Sequence, residues 1–336
     1  MPDHRFHDDV RNGRLREHAT ITEEAMAPLE GKVAVVAGAA RGAGRGVARM
    51  LGAAGAVVFC TGRSTRDHPP TGRHAGRPET IEETADMVND AGGVGLAVRV
   101  DHSDEAQVTA LFDRVRSERG GLDLLVNVLG ADHAATWGPF WEQPHDAGRA
   151  LVDAWLWPHV LTARLAAMLM LERKRGLLVE VVEGETLGYH GTFYWDLAMS
   201  LLKRMSYGMA EELAPQGITA LAVAPGFMRT EEVLAHFGTT ADSWRDVVDT
   251  EAARNFGLAG SETPCFVGRG IAALAADPDV HRRSGSLCCS WELAKEYGFT
   301  DIDGATPEWG RYFRENFPQY AGPSATGRRW ELATSP

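Results

Sequence analysis

The chain has 336 residues, 44% of them hydrophobic, with a formal net charge of -12 at neutral pH. That content is enough to bury one large core without division of the chain, so a single domain with tails is expected. The acidic balance excludes a broad nucleic-acid surface, which needs a basic stripe, and points to a small-molecule partner.

Residues 1–30 are charged throughout and carry no helical apolar stripe, which predicts an N-terminal arm over residues 1–28 with no assigned function. No signal-peptide core precedes the first strand and no apolar run is expected to reach membrane-spanning length, so a cytoplasmic protein without a membrane partner is predicted. The four cysteines, Cys60, Cys265, Cys288 and Cys289, lack metal-ligand spacing. They read as small core residues, and no metal is expected.

Residues 33–36 read as a buried strand, residues 38–44 as a tight glycine turn, and the chain from 47 onward as a helix. Strand, glycine turn and helix in that order form a dinucleotide site, because glycines let the backbone approach a pyrophosphate that the helix N-terminus attracts. A second strand over 56–60 runs into Thr61-Gly62-Arg63-Ser64. An arginine at this strand end suits a ribose 2′-phosphate, so Arg63, with Arg41 and Ser64, predicts NADP(H) over NAD(H). The bland alternative leaves both arginines solvated.

A polar loop over 65–78 leads to a helix over 79–91 and a third strand over 95–100, after which Ser103 is placed as the cap of a helix running to about 117. A fourth strand is expected over 122–128 and a long helix over 147–172 interrupted near Pro158. A fifth strand over 177–182, a helix over 194–214, a sixth strand over 218–223, a helix over 266–276 and a last strand over 286–290 complete the alternation. The expected fold is α/β, a doubly wound parallel sheet of about seven strands, with the domain at 29–304 and a C-terminal extension at 305–336.

From residue 29 to about 304 the chain resembles the short-chain dehydrogenase/reductase family, whose Rossmann-type fold the alternation matches. Ala37-Gly38-Ala39-Ala40-Arg41-Gly42-Ala43-Gly44 is similar to the family's TGxxxGxG, with alanine for threonine. Asp101, beside His102, matches the aspartate of the adenine loop, and Asn127-Val128-Leu129-Gly130 stands at the NNAG position. Pro225-Gly226-Phe227-Met228-Arg229-Thr230 is similar to the PGxxxT segment that holds the nicotinamide carboxamide. The resemblance therefore implies that Gly38, Arg41, Gly42, Gly44, Arg63, Ser64, Asp101, His102, Asn127, Gly130, Pro225, Gly226, Met228 and Thr230 hold the cofactor. The segment from Phe266 to Asp301 further suggests a bacterial branch.

The family's chemistry rests on a tyrosine acid, a lysine four residues later, a serine and often an asparagine. None of the six tyrosines here has lysine four residues on. Ala210-Glu211-Glu212-Leu213 resembles the family's AxEL, and counting back places Trp195 at the tyrosine, Met199 at the lysine, Val182 at the serine and Trp155 at the asparagine. An indole N–H does not titrate near neutrality and a thioether carries no charge, so the usual relay is expected to be absent.

Other groups must then supply any proton. Glu183 follows the fifth strand, His190 titrates near neutrality, and Tyr194 stands beside Trp195 but about 100° around the helix. Each has a bland reading as a cap, a solvated group or a packing residue. Lys203, one turn past Met199, reads first as a surface lysine, and Glu180 requires a buried partner. Trp137, Trp141, Trp155 and Trp195 suggest a flat aromatic substrate pocket.

The leading expectation is an NADP(H)-binding oxidoreductase that reduces an activated substrate, an imine, an enone or another aromatic or conjugated electrophile. The alternatives are a non-redox lyase, isomerase or cyclase using Glu183 or His190, and a non-catalytic NADP(H)-binding protein. Family members pair through the two long helices, so a homodimer or homotetramer is expected, covering Leu165, Met168, Leu201 and Met205.

Overall fold

The computed structural model describes residues 27–130, 138–184, 189 and 192–317. Nearly all of the expected N-terminal arm and everything after 317 lie outside these, as do Trp137 and His190. The chain runs β1 (Val33–Ala37), α1 (Gly42–Ala53), β2 (Val57–Gly62), α2 (Ile81–Asp90), β3 (Val94–Arg99), α3 (Glu105–Arg119), β4 (Leu124–Asn127), α4 (His145–Leu171) and β5 (Gly176–Val181). It continues through α5 (Phe193–Leu213), β6 (Ile218–Ala224), α6 (Glu231–His236), α7 (Glu251–Phe256), α8 (Pro264–Ala276), β7 (Leu287–Cys289), α9 (Ser290–Tyr297) and α10 (Trp309–Asn316).

The seven strands form one parallel sheet in the order β3-β2-β1-β4-β5-β6-β7. Every residue of β1, β4 and β6 is buried, as a sheet covered on both faces requires. The two-residue period sends alternate side chains to opposite faces. Ala34, Val36, Val58 and Cys60 pack with α1 and α8, whereas Val33, Val35 and Phe59 pack with α3 and α4. Strand order reverses between β1 and β4, and the crevice that opens there is where ligands bind in doubly wound sheets.

Several local expectations are corrected. Helix α1 starts at Gly42, inside the expected turn, so its first N–H groups arrive five residues earlier than read from the sequence. The cap of α3 is Asp104, whose carboxylate accepts from the amides of Ala106 and Gln107, because Ser103 instead donates its hydroxyl to Asp101 at 2.6 Å. Pro158 sits inside α4 without ending it; the helix is held on both sides by α3 and α5. At 27 residues α4 is also long and apolar enough to cross a membrane by length and composition, contrary to expectation, although it packs here against its neighbours and contributes His159 and Thr162 to the core. The helices α6, α7, α9 and α10 were not foreseen. Of the extension, α10 lays Trp309 over Gly226 and Gly257, which seats it against the loop after β6.

Candidate cofactor and substrate site

The glycine turn crosses from β1 onto β2, with the amides of Gly38 and Ala39 both donating to Thr61 O at 3.0 and 2.9 Å. Gly38 has φ +90°, and a Cβ there would stand 2.3 Å from Val128 O. A Cβ on Gly44 would meet Gly38 O at 2.2 Å. Only glycine fits either position, and the backbone left bare faces the end of α1, whose N-cap Arg41 gives it no side-chain bond. The Gly42 N–H is met from across the crevice by Glu231 Oε2 at 2.9 Å. Thr230, the cap of α6, rests its methyl group 3.5 Å from where a Gly42 Cβ would be.

At the end of β2, Arg41 donates to Ser64 Oγ at 3.1 Å and lies 3.8 Å from Glu79. Arg77 grips Glu79 through a fork at 2.6 and 3.0 Å. Burial pushes the Glu79 carboxyl up, but the Arg77 fork and the charge of Arg41 outweigh it and hold the group below its ordinary value. Arg63 is exposed beside Ser64. Arg41, Arg63 and Arg77 thus gather at this end of β2, with Glu79 beside Arg41 and Arg77. Sequence reasoning missed Arg77 and Glu79, whose close spacing at the end of the polar loop was the available signal.

Asp101 accepts from Ser103 N at 3.0 Å and from its hydroxyl. Burial raises this carboxyl, while the bonds from Ser103 and the charge of Arg63 bring it below the usual range. His102, expected in the cofactor set, instead points its ring into the core, 2.8 Å from Thr61 Oγ1 and 2.9 Å from Thr162 Oγ1. Each threonine hydroxyl also reaches a backbone carbonyl, Thr162 that of Pro158 and Thr61 that of Val36, so both ring nitrogens are enclosed in a network of buried hydroxyls. Burial, and then the charge of His159, push this ring down to about 3, and its side chain has no nitrogen left for a ligand.

Beneath the crevice lies a buried polar cluster. Asn127 donates to Glu180 Oε1 at 2.8 Å, and His159 Nδ1 stands 2.7 Å from Glu180 Oε2. His159 Nε2 reaches Leu129 O at 3.1 Å, which fixes the loop carrying Gly130. Glu180 thus has the buried partner it required, a histidine that nothing in the apolar pattern of α4 distinguished.

The loop after β6 is anchored from below. Gly226 N–H donates to Glu262 Oε2 at 2.9 Å, and Ser290 Oγ–H to the same oxygen at 2.6 Å. Glu262 is fully buried, which pushes its carboxyl up to about 8. Arg229 stacks on Trp244 with 4.0 Å to the ring centroid and donates to Ser261 O and to Asp303. Pro225 and Met228 are thereby carried on a braced backbone.

At the expected reaction centre Val182 and Met199 are 3% and 2% exposed and present only apolar atoms. Trp195 Nε1–H donates to Glu183 Oε2 at 2.9 Å and packs edge to face on Trp155 at 4.9 Å. Tyr194 lays its ring over Gly148 of α4. Trp141 is 72% exposed and meets Phe140, which packs on Phe193, itself edge to face with Tyr194 at 5.3 Å. Lys203 is buried rather than on the surface; burial lowers its ammonium to about 8, opposed by the charges of Glu183 and Asp196. A cavity of about 370 Å³ opens beside Thr230, lined by Arg73, Phe227, Glu232, His236 and Phe256.

A family model for the short chain dehydrogenases matches residues 32–237. The chain is 33% identical over 284 residues to dehydrogenase/reductase SDR family member 1 of Mus musculus, covering 83% of this chain and 86% of that protein. To the Homo sapiens protein of the same name it is 30% identical over 289 residues, covering 83% and 85%. The crystal structure of a Beutenbergia cavernae protein with bound NADP at low occupancy superposes with a TM-score of 0.60 at 24% identity, over 78% of this chain and 96% of that one. With the seven-stranded parallel sheet, these matches make the chain a member of the short-chain dehydrogenase/reductase family.

Proposed function

We propose that the protein is an NADP(H)-dependent oxidoreductase that reduces an activated substrate, an imine, an enone or another conjugated or aromatic electrophile, without the family's serine, tyrosine and lysine. The cofactor fits the residues present. Gly38 and Gly44 leave a backbone cradle that any Cβ would fill, the first amide of α1 already donates to an anionic oxygen, and Arg41, Arg63 and Arg77 gather where a 2′-phosphate would lie. Asp101, Asn127, the Gly130 loop and the braced segment from Pro225 to Thr230 complete the set that would hold it. The protein described in Beutenbergia cavernae carries NADP on the same fold. When bound, the cofactor supplies hydride.

The single observation that carries the substrate reading is the Trp195–Glu183 hydrogen bond above the apolar Val182 and Met199. No hydroxyl or ammonium stands at positions 182, 195 or 199 to polarise a simple ketone. Trp155 and Trp195 offer flat apolar faces, and Glu183, oriented by the indole, delivers a proton and regains one from the solvent it faces. A protonated imine carries its own activating charge and needs no stronger acid. The four cysteines are all free and buried, in keeping with a reducing cytoplasm.

The test follows NADPH consumption with a panel of ketones, aldehydes, imines and enones, beside Glu183→Gln. Turnover confined to imines or enones and lost in the variant is expected. Brisk reduction of simple ketones overturns the reading, and NADPH binding with no turnover of any member favours the non-redox and non-catalytic alternatives.

A further inference from the structure

Two successive acids in the first turn of α6 reach opposite walls of the dinucleotide crevice. Glu231 places Oε2 2.9 Å from Gly42 N, with Oε1 3.8 Å from Arg45 Nε. Glu232 lies 3.4 Å from Arg73 and 3.9 Å from His74, both on the loop between β2 and α2. Helix α6 is thereby tied to the glycine turn on one side and to the adenosine-side loop on the other.

We infer that Glu231 competes, from within the chain, for the anion-binding end of α1, so that α6 closes the crevice and NADP(H) enters by displacing it. The inference rests on the cofactor reading above, and on no assumption about the reaction. A helix N-terminus leaves its first amides unbonded within the helix, and a carboxylate is among the groups that satisfy them. Glu231 performs that service from 189 residues away, for a helix whose own N-cap supplies no side-chain bond. A pyrophosphate brought to the same amide would meet a carboxylate of like charge on the same donor, so the two cannot share the site. Displacing Glu231 leaves it with Arg45, and draws the first turn of α6, including the Glu232 contacts, away from the crevice. The cavity beside Thr230, walled by Arg73 and Glu232, lies between the two parts that would separate.

The experiment measures NADPH affinity by calorimetric titration of the full chain, together with amide hydrogen exchange of residues 231–236 with and without NADPH. Because a helix cap of this kind is worth on the order of 1 kcal/mol, Glu231→Ala should bind NADPH roughly five- to tenfold more tightly than the unaltered protein, with Glu231→Gln between them. The free variant should melt at a lower temperature while the NADPH-bound forms converge, since the contact stabilises only the free state. NADPH should accelerate exchange in α6 of the unaltered protein. NADPH binding that is equal or weaker in both variants, with α6 exchange unchanged by NADPH, overturns the gate and leaves the cofactor reading intact. Failure of the unaltered protein and both variants to bind NADPH overturns the cofactor reading and the gate with it.

Discussion

His159 and Glu180 meet in the core with both side chains 1% exposed, Nδ1 to Oε2 at 2.7 Å. The other ring nitrogen faces Leu129 O at 3.1 Å. Asn127 fills the remaining carboxylate oxygen. The cluster joins β4, β5 and α4 under the crevice. Removing one partner leaves the other buried without its hydrogen bond, so His159→Ala and Glu180→Ala should each lower the unfolding free energy by about 1–3 kcal/mol. The double variant should cost less than the sum. Urea titrations of the four proteins measure the cycle, and strict additivity refutes the pairing.

A second buried carboxyl predicts a pH dependence. Burial raises Glu262 from 4.5 to about 8, with Asp301 adding to the rise and Ser290, Gly226 and Arg229 opposing it. The folded state therefore keeps a proton that the unfolded chain releases above its ordinary value. The contribution is fully present below 4.5 and is lost as pH rises through about 8. Glu262→Gln is uncharged throughout, so its stability relative to the unaltered protein should increase steadily from about pH 5 to about pH 9. Lys203, lowered to about 8, contributes stability that falls away as pH drops, but it is common to both proteins and cancels. Parallel melting curves across pH would show that Glu262 does not titrate as argued.

What the sequence made legible was local. The strands, the glycine turn and the two long helices follow from periodicity and spacing, the parallel sheet follows from alternating elements, and the PGFMRT segment was legible through its likeness to the family. The pairings that brace the site were not legible, because each joins distant positions: Glu180 with His159 across 21 residues, Gly226 with Glu262 across 36, and Gly42 with Glu231 across 189. No pattern marks a carboxylate as buried before its partner is placed. Ser103 and Pro158 misled for a related reason, since tertiary packing and an adjacent aspartate outweighed their local preferences. His102 fell in the right loop and turned the other way.

Cofactor choice should rest on Arg63. Arg63 is exposed at the end of β2 beside Ser64, where a 2′-phosphate would lie and where a guanidinium can meet it with forked hydrogen bonds. A charge-assisted hydrogen bond is worth about 1.5–3 kcal/mol, so Arg63→Ala should lose roughly ten- to a hundredfold in NADPH affinity with little change for NADH. Paired calorimetric titrations decide it; an unaltered preference in the variant places the phosphate elsewhere.

The long helices leave apolar side chains uncovered: Trp157, Met168 and Leu171 on α4, and Leu197 and Tyr207 on α5. Such a surface fits a second copy of the chain, as the pairing of family members implies. Light scattering at micromolar concentration should report a dimer or tetramer, and Met168→Lys should shift it toward monomer. Leu165, Leu201 and Met205 are already partly covered within the protomer and contribute less. A monomeric unaltered protein would contradict the proposal.

Restoring the family residues should not restore family chemistry. In Trp195→Tyr with Met199→Lys, the new ammonium enters a position 2% exposed and stands four residues from the buried Lys203 on the same face of α5. Like charges at that spacing repel, and a buried ammonium without a partner is costly, so the double variant should be less stable than the unaltered protein. Val182 still offers no hydroxyl, and Trp155 still occupies the space beside the new phenol. General acid catalysis is worth about 10²–10⁴-fold, so a working relay would announce itself as a rise of that size. Ketone turnover within about tenfold of the unaltered protein is the expected result. A rise of two orders of magnitude or more would show that the pocket still accepts the original relay, and that the loss of these two side chains alone separates this chain from ordinary ketone reduction.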